Sequence, residues 1–431
     1  MKKVYQRAGA IFAGNIVAGV LNLMLLAILT HSLSLEAFGI FALVTSYFTV
    51  IGQLTSFQTW QAVIYYGAHA LAEPSPRPLT SLLALTLGID IAAGIMGAIL
   101  AILGGLFAPT WFGLGAQPLV LSAIGALMLI FNLTGTSIGV LRLFNRFYLQ
   151  TANAQIACAI RAALAGTLVL MGIKSLLFFV AIWAAGGVIG QLCLFAIAWR
   201  EASRQGLIRF QNIAFGTLRT EYPGLVRFLF ATNLDGTIKI LRELDIFIVK
   251  ATLGPAAAGL YRVIRVIKTT FGQLINPFFQ SIYPALANLA VARDAASFRR
   301  LIVGSSLTVG LLASVVWIIF AFSGRFIIDA VFGAPFVAAV PAALLASAGT
   351  VAWAFEHPLA PALLALGRPQ WGMVLHLATS LLYLAAIFYL TLFLGLVGTG
   401  VATALFYLIW GIAVLGAVWI SFPRLGYVSQ T

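Results

Sequence analysis

An all-α, polytopic membrane protein is the fold class this chain predicts, and three observations predict it. Of its 431 residues, 62% are apolar and only 8% charged, against about a quarter charged in soluble domains. Apolar runs of roughly 18 or more residues recur from end to end, each able to cross a hydrocarbon core of about 30 Å as a helix. The two halves of the chain also repeat one another, which organises the spans into two sets of six.

In chain order, Lys2, Lys3 and Arg7 precede an apolar run too long for a signal-peptide core, so it is expected to stay as the first membrane helix. Twelve spans follow from hydropathy, near 8–31, 38–58, 79–107, 118–141, 147–172, 175–199, 226–252, 256–282, 301–322, 337–357, 372–395 and 398–421. The segment 59–72 is expected to continue helix 2 or to lie at the inner interface. An even count puts both termini on one side. With the termini in the cytoplasm, sixteen Lys/Arg fall inside and three outside, which sets the orientation and accounts for the net charge of +14 without nucleic acid. Cys158 and Cys193 lie in apolar runs and predict no disulfide framework. The expected organisation is an N-terminal six-helix lobe (1–199), a basic cytoplasmic linker (200–225) and a C-terminal six-helix lobe (226–431).

The repeat is visible residue by residue. Phe12-Ala13-x-Asn15 returns as Phe230-Ala231-x-Asn233, and Gly39-x-Phe41 as Gly259-x-Tyr261. Gly52-Gln53-Leu54 returns as Gly272-Gln273-Leu274, Ile64-Tyr65 as Ile282-Tyr283, and Asn145-Arg146 as Gly367-Arg368. The offset stays between 218 and 222. Six helices per unit make the copies parallel repeats, related by an axis along the membrane normal. Two lobes around a central cleft are the expected architecture, and alternating access by rocking makes transport the leading functional class.

Helices 7 and 8 break the apolar pattern with Asp235, Lys239, Arg242, Glu243, Asp245, Arg262, Arg265 and Lys268. Each charge at mid-membrane opposes insertion by about 2.5–3.5 kcal/mol, so eight would oppose it by on the order of 20 kcal/mol unless they face water, partners or a ligand. Asp235, Lys239 and Arg242 fall on one stripe of a continuous helix 7, with Glu243 four residues after Lys239 and Asp245 three after Arg242. Arg262, Arg265 and Lys268 form a purely cationic stripe on helix 8. Five cations against three acids leave surplus positive charge, which suits a phosphate or diphosphate. Lys239, Arg242, Arg262, Arg265 and Lys268 are the candidate diphosphate-binding set; internal ion pairing with snorkelling is the competing reading.

Asn15 and Asn22 share a face of helix 1, and Asn233, Gln53 and Gln273 continue the polar layer across the repeat. They are candidates for sugar hydroxyls and equally serve as interhelical contacts. Asp90, Asp235, Glu243 and Asp245 are candidates for coupling to H+ or Na+, as is Glu356, although Asp90 with Arg161 reads first as a structural pair. No catalytic residue is assigned. His31, His69, His357 and His376 lack metal-ligand spacing, and no phosphate-cradling glycine loop or nucleophile elbow occurs. The expectation is a transporter without cofactor or metal, driven by an ion gradient or by its substrate's own gradient.

Taken together, Glu36-Ala37-Phe38-Gly39-Ile40-Phe41, Ala258-Gly259-Leu260-Tyr261-Arg262, Tyr283-Pro284-Ala285-Leu286, Leu364-Ala365-Leu366-Gly367-Arg368-Pro369 and Gly398-Thr399-Gly400-Val401-Ala402 carry a resemblance over nearly the whole chain. They are similar to the polysaccharide (O-antigen type) flippases of the multidrug/oligosaccharidyl-lipid/polysaccharide exporter superfamily. The resemblance implies a twelve-helix, V-shaped carrier in a bacterial inner membrane that moves polyprenyl-diphosphate-linked oligosaccharide to the outer leaflet. The partners it implies are lipid-linked oligosaccharide, membrane lipid, polysaccharide polymerase and chain-length proteins, with no nucleic acid. The rivals are a drug/cation antiporter of the same superfamily and a membrane polysaccharide polymerase or glycosyltransferase.

Overall fold

The structure is a computed structural model describing residues 19–72, 79–112, 114, 117–207 and 222–422; within these, the side chains of 234–239, 276, 277 and 279–281, among a few others, are outside the description. Asn15 therefore lies outside the described residues, as do the side chains of Asp235 and Lys239. Among the described residues, nine helices are long and apolar enough to cross a membrane. The remaining three expected spans are represented by the apolar helix Gly19–Ser32 and by the charged helices 7 and 8. All-helical spans follow from the bilayer itself, which offers no water to backbone N–H and C=O groups, so each segment must bond internally. The chain divides into two compact units, Met1–Glu243 and Leu244–Thr431.

The N-terminal unit holds α1 (Gly19–Ser32), α2 (Leu35–Thr55), α3 (Thr59–Ala72) and α4 (Leu79–Phe107). It continues through the short α5 (Pro109–Phe112), α6 (Pro118–Ile130), α7 (Thr134–Leu143), α8 (Phe147–Leu170) and α9 (Leu176–Arg204). Two spans are interrupted: α2 and α3 part at 56–58, and α6 and α7 part at 131–133. Segment 59–72 thus continues helix 2 as a separate helix, seated mainly against α7. Tyr47 is fully buried and its Oη donates to the Ala101 carbonyl at 2.7 Å. That hydroxyl occupies the place where a Cβ on Gly104 would fall, so glycine there permits the close α2–α4 approach.

Helix 7 does not run unbroken over 226–252. Its first half, α10 (Leu225–Ile240), packs on α2 and α3 in the N-terminal unit, where Phe228 stacks on Tyr65 with ring centroids 5.4 Å apart. A 3-10 turn, Leu241–Leu244, follows and carries Arg242 and Glu243. The stripe expected of a continuous helix is therefore interrupted where its charges are densest, because the tighter turn resets the facing of every residue after it.

The C-terminal unit continues with α11 (Asp245–Leu253), the 37-residue α12 (Pro255–Val291) and α13 (Ala295–Phe332). It closes with α14 (Val340–Glu356), α15 (Leu359–Ala365), α16 (Pro369–Leu394) and α17 (Leu396–Ser421). Its centre is the packing of α14 and α16 against α17. Asp294 caps α13 by accepting the Ser297 N–H at 2.9 Å, which holds its acid below the usual aspartate value.

The repeat extends to backbone geometry. Asn145 (φ 57°) follows α7 and its mate Gly367 (φ 72°) follows α15, both in the left-handed region. In each case two N–H groups fold back onto the preceding turn: Asn145 to Arg142 O and Arg146 to Leu141 O, and Gly367 to Leu364 O and Arg368 to Leu363 O. This paired reversal terminates a helix by satisfying its last carbonyls. Replacing Asn145 or Gly367 by Ala should each destabilise by roughly 1 kcal/mol, and Asn145→Gly should be neutral or better. Reversible unfolding in mixed micelles measures this; an unchanged Gly367→Ala would contradict it.

Candidate functional site

Two buried carboxylates organise the polar interior, one in each unit. In the C-terminal unit Asp245, at the first turn of α11, is 1% exposed. Its Oδ1 accepts from Arg265 Nη1 at 3.3 Å, and its Oδ2 accepts from Tyr261 Oη at 2.6 Å and Tyr383 Oη at 3.1 Å. The two tyrosine oxygens are themselves 3.0 Å apart. Tyr261 and Arg265 stand four residues apart on α12 and so reach the same spot, while Tyr383 comes from α16. A carboxylate at a helix N-terminus is favoured by the helix dipole, and a guanidinium plus two hydroxyls offset much of its desolvation.

In the N-terminal unit Asp90, on α4, is 4% exposed. Its Oδ1 accepts from Thr59 Oγ1 at 2.7 Å and its Oδ2 from the backbone N–H of Thr136 at 2.7 Å. Thr59 begins α3 and Thr136 lies in the first turn of α7. One carboxylate thus ties the first residue of α3, through its hydroxyl, to the first turn of α7, whose amide it caps as Leu133 cannot. A Cβ on Gly135 would collide with Thr59 Oγ1, so the approach requires glycine.

This overturns the expected Asp90–Arg161 pair: no ion pair joins them among the described residues. Arg161 instead donates from Nε to the Trp183 carbonyl at 3.1 Å and lies 5.8 Å from the centre of the Trp183 ring. The guanidinium finds a carbonyl and an aromatic face on α9, one helix along, before it reaches any carboxylate.

Of the expected diphosphate set, Arg262, Arg265 and Lys268 lie on α12 and are each part-buried, Arg265 on Asp245; Arg242 is part-buried in the 3-10 turn beside Glu243. Among the amides, Asn22 is exposed and its Oδ1 accepts from Cys158 Sγ at 3.4 Å. Gln53 and Gln273 are both exposed, and Asn233 is part-buried. Glu356 closes α14 against Gly411 of α17, where a Cβ would strike its carboxyl group. Thr59, Tyr261 and Tyr383 are polar partners that sequence reasoning did not assign. Tyr261 carried a signal, a hydroxyl where its repeat mate Phe41 has none, whereas Thr59 and Tyr383 sit in stretches without one.

No family model matches the chain. It aligns at 26% identity over 337 residues with the Escherichia coli K12 protein described as inner membrane protein YghQ, covering 76% of this chain and 92% of that one. Its fold is similar to an inward-facing multidrug resistance MATE family transporter of the MOP superfamily (TM-score 0.70, 13% identity, 100% of this chain and 96% of the other). It is also similar to lipid II flippase MurJ in an inward closed conformation (TM-score 0.68, 14% identity, 96% and 89%). At these identities the likeness establishes the fold: an all-α, polytopic membrane architecture shared with transporters and a lipid flippase.

Arg265→Gln should destabilise the C-terminal unit by roughly 3–5 kcal/mol, because it strands a buried carboxylate. Adding Asp245→Asn should recover a large part of that loss, and purely additive effects in the double-mutant cycle would contradict the pairing. In the other unit Asp90→Ala should cost roughly 2–3 kcal/mol and expose the first amides of α7, as seen by hydrogen exchange; unaltered protection at Thr136 would count against the cap.

Proposed function

We propose that the chain is a membrane transporter of the flippase type. It moves a lipid-linked anion, most specifically a polyprenyl-diphosphate-linked oligosaccharide, across the bacterial inner membrane by alternating access. The observation that carries this reading is α12, a membrane-length helix with three cations and no acid in its 37 residues. The diphosphate role is assigned to the α12 cations Arg262, Arg265 and Lys268, of which Arg265 also bonds Asp245. Arginine suits phosphate through its planar fork and lysine through its point charge. The YghQ relative being an inner membrane protein supports the location, and the shared fold with a lipid II flippase supports a lipid-borne cargo.

The MATE likeness keeps the drug/cation antiporter as the second reading, with Asp90 and Asp245 as the carboxylates it would use. In this structure both carboxylates are already occupied by protein donors, and a cationic drug would have to displace Arg265. Under the leading reading the same carboxylates are where H+ or Na+ would couple, with Asp235 and Glu243 as further candidates.

Purified protein in liposomes should flip a fluorescent polyprenyl-diphosphate sugar, and Arg262→Gln with Lys268→Gln should slow flipping at least tenfold with folding intact. Cells expressing the chain should not extrude ethidium. Ethidium efflux with no effect of the α12 substitutions would select the antiporter instead.

A further inference from the structure

A crevice in the N-terminal unit adjoins the Asp90 centre through Thr136, which lines it. It runs between α4, α7 and α9 and is bounded by Thr80, Leu87, Val140, Ala198, Trp199 and Leu207 among others. Its walls are almost wholly apolar. From Thr80 to Leu87 on α4, and from Ala202 back to Phe195 on α9, it extends about 10 Å along the helix axes at 1.5 Å per residue. That is most of one leaflet's half of a hydrocarbon core about 30 Å thick.

The crevice is closed at one end, where Thr80 Oγ1 donates to the Leu207 carbonyl at 3.0 Å. Just beyond that end the charges change sign. Arg142 lies two residues past Val140 on α7, Arg200 and Arg204 flank Ala202 on α9, and Arg146 follows the α7 turn. Among the described residues the carboxylate with them is Glu201, 4% exposed. Its oxygens lie 3.5 Å from Arg146 Nε and 3.9 Å from Arg204 Nη1, and those two arginine side chains remain 46% and 60% exposed. Arg142 is held over the Trp60 ring at 4.7 Å and bonded to Gln150. Four guanidinium groups against one carboxylate leave a net positive rim at headgroup depth.

We infer that this crevice binds one acyl chain of an anionic phospholipid, whose phosphate is received by Arg142, Arg146 and Arg204. An apolar slot of this depth beside lipid fills with hydrocarbon rather than water, because Thr80 and Ser137 already donate to carbonyls and Thr136 adds too few partners for a water. The basic rim then selects the headgroup, as basic pockets between membrane helices do for anionic lipids. The lipid is a resident one, distinct from the transported cargo, and wedges the inner ends of α4, α7 and α9 in place.

The test uses phosphatidylglycerol and phosphatidylcholine probes, each carrying a diazirine partway along one acyl chain, photolysed in vesicles with the full-length protein. Adducts should concentrate on α4, α7 and α9 at 80–87, 136–140 and 195–202. Phosphatidylglycerol should label several-fold more than phosphatidylcholine. Ala84→Phe should abolish this labelling with the fold intact. Arg142→Gln with Arg204→Gln should erase the headgroup preference and leave the labelling position unchanged, a result a merely structural defect would not give. Equal labelling by both headgroups, adducts spread evenly over the lipid-facing helices, or displacement of the probe by unlabelled polyprenyl diphosphate would each overturn the assignment. The last would make the crevice a cargo-tail site. If Ala84→Phe fails to fold, the arginine pair and the competition arm still decide.

Discussion

In hydrocarbon every polar group must find its partner within the protein, and this constraint decides where the chain tolerates a broken helix. Asp90 is the clearest instance. Two spans of the N-terminal unit are interrupted, and a hydroxyl of α3 and an amide of α7 converge on one carboxylate. In water such helix ends would be solvated and the aspartate dispensable. In a bilayer the breaks and the acid stabilise each other, and Gly135 is small so that all three can meet. Asp245 plays a corresponding part in the other unit, where it is balanced by a guanidinium and two phenols rather than by backbone.

Much of the fold was legible because hydropathy over a 30 Å core is a strong, local signal. Among the described residues most expected spans fall on a helix, although 226–252 is broken and 301–322 lies within the longer Ala295–Phe332, and the offset repeat reappears as matched left-handed residues at Asn145 and Gly367. What sequence did not disclose depends on contacts between distant residues. No proline or glycine marks the break at 56–58; it is stabilised by Thr59 reaching Asp90, 31 positions away. Likewise the i+3 rule joined Asp245 to Arg242, whereas its guanidinium comes from Arg265 on the next helix, 20 positions on. Local spacing rules assume one uninterrupted helix, and the 3-10 turn at Leu241–Leu244 removes that assumption where it mattered most.

The distribution of charge bears on function through its imbalance. Asp90 and Asp245 are deeply engaged by protein donors, and α12 contributes cations alone. A surface of this kind disfavours cationic cargo by repulsion and favours a phosphate that brings its own negative charge, which is specificity through an unfavourable contact with the wrong ligand as much as through a favourable one. The bonds of Tyr261 and Arg265 to Asp245 pin the rotation of α12 and so fix the facing of Arg262 and Lys268.

Whether that cationic face of α12 borders water or lipid is therefore the decisive question. Single cysteines at 262 and 268, in a chain with Cys158 and Cys193 replaced by Ala, can be probed in membrane vesicles with a charged, membrane-impermeant thiol reagent and with a lipid-soluble maleimide. The account predicts that Arg262→Cys and Lys268→Cys react with the impermeant reagent and are protected by a polyprenyl-diphosphate sugar. Reaction with the lipid-soluble reagent alone, unaffected by that lipid, would place these residues against the bilayer and contradict the account.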